Sequence, residues 1–211
     1  MQKLLFFVLL MTGGWHAFAQ TRVVAECTVT YSIQAAASGQ TEPEAAELLK
    51  SSSKTVYIKG NNSRVDLISP SFLQTLIYDK STGNAVILRE MGINKFMTRL
   101  SRKDWVSQNS KFSGMTISYL NETRNILGYD CKKAVLKLQN GSQFTVFYST
   151  TIAPSVREFE YQFKDIPGFV LEYEATEGGG QTITYTATKI NLSPVQASKF
   201  DIPSSGYRIL N

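Results

Sequence analysis

The chain has 211 residues, 22 Lys and Arg against 17 Asp and Glu, and a formal net charge of +5. That small, scattered excess lacks the dense basic clusters of a nucleic-acid binder, so nucleic acid is not an expected partner. Its only histidine is His16.

The N-terminus reads as a signal peptide over 1–19: Lys3, the apolar run Leu4–Met11, then Ala17-Phe18-Ala19 as an A-x-A cleavage site before Gln20. The apolar run is far shorter than the about 20 residues a spanning helix needs. No later stretch is apolar enough for a transmembrane segment, so residues 20–211 are expected to form one exported, periplasmic domain. With His16 removed, the mature chain has no histidine. This takes away His-based acid–base chemistry, Ser-His and Cys-His nucleophile pairs and most zinc sites. No enzyme, cofactor or metal is expected.

Val23–Ile33 alternates, with Val23, Ala25, Cys27, Val29, Tyr31 and Ile33 on one face, as a half-buried strand does. Thr41-x-x-Glu44 reads as a capping box opening a short helix with Ala45, Leu48 and Leu49 as its apolar stripe. This helix is expected to plug one end of the core. Hairpins are expected around Gly60-Asn61-Asn62-Ser63 and Ser81-Thr82-Gly83-Asn84, with Ile93–Trp105 continuing the meander and Ser107–Gly114 a polar loop.

Ile126–Tyr148 reads as a long hairpin closed by a two-residue turn at Asn140-Gly141, both residues with φ > 0. That register sets Leu138 against Gln143, Leu136 against Thr145 and Ala134 against Phe147. Next, Phe159, Tyr161 and Phe163 alternate with Glu158, Glu160 and Gln162, Pro167-Gly168 marks a turn or bulge, and Phe169–Thr176 alternates again. After Gly178-Gly179-Gly180, Ile183, Tyr185 and Ala187 face away from Thr182, Thr184, Thr186 and Thr188. Short strands at this spacing predict a mainly β fold, a sandwich or one large curved antiparallel sheet left open as an unclosed barrel.

Two groups of motifs carry a family resemblance. Ile126-x-Gly128-Tyr129-x-Cys131-x-Lys133-Ala134, then Phe147-Tyr148-Ser149-Thr150, resembles the GLPGLI family of exported bacterial proteins. The naming motif is echoed at Asp165–Val170, DIPGFV, which keeps Pro167-Gly168 and replaces the first Gly and both Leu. Val56-Tyr57-Ile58-Lys59-Gly60 with Arg64-Val65, and Phe200-x-Ile202-Pro203-x-x-Gly206-Tyr207, are similar to the LolA/LolB-like lipoprotein-sorting superfamily. The resemblance implies a curved open sheet with one or two short covering helices and an apolar concave face, which in carrier members holds acyl chains.

An even cysteine count in an exported chain points to a Cys27–Cys131 disulfide. Leu48, Leu49, Phe144, Val146, Phe163 and Phe169 are candidate liners of an apolar ligand groove. Lys95, Arg99, Arg102, Lys103 and Trp105 form a basic–aromatic segment suited to a membrane or partner surface. Ser51-x-x-Lys54 matches a serine acyl-transfer pattern, but its lysine leads into a strand and the serine-rich stretch reads as a loop. The expected function is a non-enzymatic envelope carrier of lipid or a lipidated protein. The alternative is an envelope scaffold with a filled core and a protein partner.

Overall fold

The computed structural model describes residues 21–35, 43–176 and 182–210. The expected signal peptide, Thr41 of the expected capping box and the Gly178-Gly179-Gly180 turn lie outside the described residues. The chain runs β1 (Arg22–Val24), β2 (Glu26–Ala35), α1 (Pro43–Lys50), β3 (Ser53–Lys59), β4 (Asn62–Ile68), β5 (Leu73–Asp79), β6 (Asn84–Met91) and β7 (Asn94–Leu100). It continues with α2 (Arg102–Gln108), β8 (Thr116–Ile126), β9 (Tyr129–Lys137), β10 (Gln143–Ser149), β11 (Ile152–Pro154), β12 (Phe169–Thr176), β13 (Thr182–Asn191) and β14 (Arg208–Leu210).

Twelve of these strands form one curved sheet in the order β14-β7-β6-β5-β4-β3-β2-β13-β12-β10-β9-β8, with β14 and β8 as its open edges. The mainly β, unclosed architecture is the one expected. Period-2 side-chain alternation explains its inner face: Cys27, Val29, Tyr31 and Ile33 of β2 are buried, as are Ile183, Tyr185 and Ala187 of β13.

Several local readings differ from the expectation. The first strand breaks at Ala25. β1 pairs in parallel with β11 in a separate two-stranded sheet, while β2 enters the large one. The break reverses the alternation, leaving Val23 exposed and Val24 buried.

At Asn140-Gly141 the register is one residue off. Phe144 pairs with Leu136 and Val146 with Ala134. Leu138 N donates to Ser142 O, and Gly141 alone takes a positive φ, 86°, so the connection is a three-residue loop. The turn with two positive φ values lies at the other end of β9, where Leu127 (54°) and Gly128 (82°) join β8 to β9.

Trp105 lies in α2 instead of the meander. A capping box starts that helix: Asp104 N donates to the Ser101 hydroxyl, and the Asp104 carboxylate accepts from Ser101 N. The alternating stretch 158–163 forms two 3-10 turns, Arg157–Phe159 and Tyr161–Phe163, not a strand. They cover the inner face of the sheet and drive Phe159, Phe163 and Ile166 into the core, each at most 2% exposed. At roughly 1.5–3 kcal/mol for each large apolar side chain buried, this plug is a major part of the packing.

Gly168 then passes against β10 so closely that a Cβ there would stand 1.7 Å from Ser149 O. The Pro167-Gly168 bend tolerates no side chain at its second residue.

The expected disulfide is absent. Cys27 and Cys131 are both free, buried thiols. They belong to β2 and β9, separated along the sheet by β13, β12 and β10. Each strand step is about 4.8 Å, whereas a disulfide needs Cα atoms roughly 4.4–6.8 Å apart. Burial pushes both thiols up to about 12, with the Asp130 and Glu172 carboxylates adding to the effect at Cys131.

Candidate functional site

The inner face carries one unusual side chain. Alternation along β3 puts Lys54 on the same side as Val56 and Ile58, and strand pairing sets it beside Tyr31 of β2 and Leu67 of β4. Its side chain is only 3% exposed. The Lys54 Nζ lies 4.7 Å from the Tyr173 ring centroid, 5.2 Å from Tyr185 and 5.5 Å from Tyr31, a cage of three rings around one ammonium. Tyr173 and Tyr185 stack at 4.6 Å.

The fourth wall comes from the plug. Glu160 Oε1 sits 2.5 Å from Lys54 Nζ. Lys54 also donates to the Tyr173 hydroxyl at 2.5 Å, and that hydroxyl donates to Glu160 Oε1 at 3.4 Å. Tyr31 donates to Val170 O at 2.8 Å. Burial, then the Glu160 charge, holds both Tyr31 and Tyr173 well above the ordinary phenol range, so they stay protonated.

Beside the pair is a hollow of about 90 Å³ between Lys54, Glu160, Gln74, Leu67, Leu76 and Tyr185. Ligand sites run to roughly 300–1,000 Å³. Neither a nucleophile–base pair nor room for an acyl chain is present in this hollow. Its chemistry is that of a clamp between sheet and plug.

The candidate liners are placed as follows. Val146, Phe163 and Phe169 are at most 2% exposed, Phe144 and Leu49 are half-buried against the same core, and Leu48 faces solvent. The basic–aromatic segment does not form one patch. Lys95 is the second residue of β7, pairs with Glu90 at 2.7 Å and lies over Tyr207, while Arg102 and Lys103 follow the strand's other end. Five strand residues, Phe96 to Leu100, at about 3.3 Å each separate them.

Arg99 and Lys103 are exposed. Arg102 Nε donates to Thr82 O at 2.9 Å, closing the β5–β6 turn. Trp105 points into the core between Tyr78 and Tyr161, at 5.7 and 6.2 Å, and not to a surface. Ser51 is exposed and its hydroxyl donates to Glu47 O and Leu48 O at the end of α1, so it faces away from Lys54.

Lys54 was visible in the sequence as a cation in the inward register of Val56 and Ile58. Glu160 carried no comparable signal, since its stretch reads as an ordinary alternating strand.

On the outer face a broader groove, about 560 Å³, runs over β13, β12, β10 and β9. Arg124 of β8 reaches across it to form an ion pair with Glu172, its guanidinium 4.2 Å from the Phe147 ring centroid. Thr186 donates to the second Glu172 oxygen at 3.0 Å. Among the described residues, no group of three or more Cys, Asp, Glu or His side chains could hold a metal.

No family model matches the chain, and no curated protein matches it. Among solved structures it is similar to PNGF-II, at 14% identity and a TM-score of 0.48 over 87% of this chain and 30% of that one. It is also similar to MucB, at 9% identity and 0.43, over 85% and 58% of the two chains. A LolA superfamily protein from Nitrosomonas europaea is similar at 14% identity and 0.35, over 85% and 91%. The chain thus spans less than a third of PNGF-II and less than two thirds of MucB. All three TM-scores lie below 0.5.

Proposed function

We propose that residues 20–211 form a single exported, periplasmic domain that works without catalysis, as an envelope scaffold that binds a protein partner through its surfaces. The observation that carries this reading is the filled inner face. Val146, Phe163 and Phe169, the side chains best placed to line a lipid groove, are buried at 2% exposure or less against the plug and the sheet. Exposed Arg99 and Lys103 are the members of the basic segment most open to a partner. Native mass spectrometry of protein gently released from the envelope tests this. A lipid-free mass beginning at Gln20 is expected, and a stoichiometric lipid adduct would overturn the scaffold reading.

A second reading, a carrier of lipid or a lipidated protein, is favoured by the way the plug is attached. Its internal backbone hydrogen bonds are local, such as Phe163 N to Glu160 O and Ile166 N to Phe163 O, both 3.0 Å. Glu158 Oε2, Glu160 Oε2 and Trp105 Nε1 are buried without a hydrogen-bond partner among the described residues, all on the plug or packed beside it. Each such group costs about 1–3 kcal/mol. Displacing the plug would open a groove lined by Leu49, Phe144 and Val146. A Glu160→Gln variant that takes up phospholipid from vesicles, where wild type does not, would establish that reading in place of the first.

A further inference from the structure

The two edges of the large sheet are unlike. β14 is three residues long. β8 runs for eleven, pairs on one side only among the described residues, and exposes every residue from Ser118 to Asn125. An open edge templates further strand pairing unless it is short, bulged or charged. β8 has both a bulge and charges, and those charges are self-complementary.

The bulge falls between Tyr119 and Thr123, after which Thr123 pairs with Lys132 and Arg124 with Cys131. Glu122 and Arg124 therefore share the outer face, Glu122 held 2.7 Å from Lys133 and Arg124 paired with Glu172. Antiparallel pairing of two copies about a two-fold axis through Thr123 sets Glu122 of each copy opposite Arg124 of the other. Across the seam the outer-face charges then alternate: Lys133, Glu122, Arg124 of the second copy, Glu172 of the second copy. An axis through Arg124 would oppose that residue to itself. An axis between residues would turn one copy's inner face toward the other's outer side. Only the Thr123 register keeps both faces continuous and the charges opposite, with the two Thr123 side chains as a favourable cross-strand pair.

We propose that β8 is a self-association edge, pairing two copies of this chain through the segment centred on Thr123, where Glu122 of each copy meets Arg124 of the other. The inference rests on the scaffold reading and deepens it by naming one partner. Because β14 is too short to offer a second long edge, association closes at a dimer and does not propagate.

Lipid-free protein followed by sedimentation equilibrium from micromolar to sub-millimolar concentration is expected to dimerise. E122R and R124E each place like charges opposite one another twice, and each should raise the dimer Kd at least about tenfold. Mixing the two single variants restores both seam pairs and should recover association. The double variant E122R/R124E should do the same, although its pairs to Lys133 and Glu172 within each copy are then repulsive. A stability defect inside the monomer predicts the reverse for the double variant. Wild type that stays monomeric, with β8 left open for another protein's strand, overturns the proposal. So does a mixture that associates no better than its components. A lipid adduct on an intact dimer would overturn the scaffold reading alone.

Discussion

Glu172 and Tyr173 are neighbours in β12, and each anchors a cation, an aromatic ring and a carboxylate, on opposite faces of the sheet. Inside, Lys54 lies among Tyr31, Tyr173, Tyr185 and Glu160 with 3% of its side chain exposed. Outside, Arg124 lies over Phe147 and against Glu172 with 49% exposed. The chemistry is nearly the same and the solvent is not. Water reaches the outer cation and weakens its pair, although Glu172 itself is only 12% exposed. The inner set has lost its hydration and depends on each member for the others' charge balance.

The largest expected effect follows from that dependence. Lys54→Met leaves the half-buried Glu160 carboxylate without its cation and should cost about 3 kcal/mol, the lower end for breaking a buried pair, read as a shifted urea midpoint. The double variant Lys54→Met/Glu160→Leu should recover most of the loss, since an apolar pair in a packed interior needs no charge compensation. A double variant no more stable than the single would break the comparison.

Alkali should reach the inner set only as the protein unfolds. Tyr31 and Tyr173 have folded-state pKa values raised by burial, so they contribute stability that is complete below the unfolded phenol pKa of about 10 and is lost as pH rises beyond it. Tyrosinate absorbance should show these two ionising together with unfolding. Titration of every tyrosine in still-folded protein would refute it. The thiols offer a milder probe. Pushed up to about 12 by burial, Cys27 and Cys131 should resist alkylation at neutral pH in the native protein and react fully in denaturant, as intact mass will record. Smallest is Arg124→Ala, which should cost the monomer less than about 1 kcal/mol, with the difference shrinking as salt is added.

What could be read in advance follows from how far each signal reaches along the chain. β2, β13 and the hairpins near Gly60 and Gly83 were legible because alternation and turn glycines act over a few residues. The 158–163 stretch was misread because Phe159 and Phe163 can be buried equally well from a strand or from successive tight turns. Period-2 spacing does not separate the two. At Asn140-Gly141 the residue types were right and the loop length was not, since a lone left-handed glycine also serves a three-residue loop. The α2 capping box is present in Ser101-x-x-Asp104, but the apolar pattern around it outweighs so short a signal. Compartment and cysteine parity favour a disulfide, but strand order puts the two cysteines four strands apart, which neither signal encodes. Lys54 was half legible. Its register was plain, but its partner lies 106 positions away, on a segment whose path over the sheet no local pattern encodes.

The place of β2 has a consequence for how the chain reaches its native state. It lies in the middle of the sheet, with β3, next in the chain, on one side and β13, which starts only at Thr182, on the other. Strands β2 to β7 can zip up locally as a meander, but one long flank of β2 then waits for nearly the last strand. Contacts of such high sequence separation slow folding, because the loop entropy is spent before the contact forms. A chain truncated before β13 should therefore hold its N-terminal meander with an open central edge, and collect as aggregate while the full chain refolds slowly and in one step.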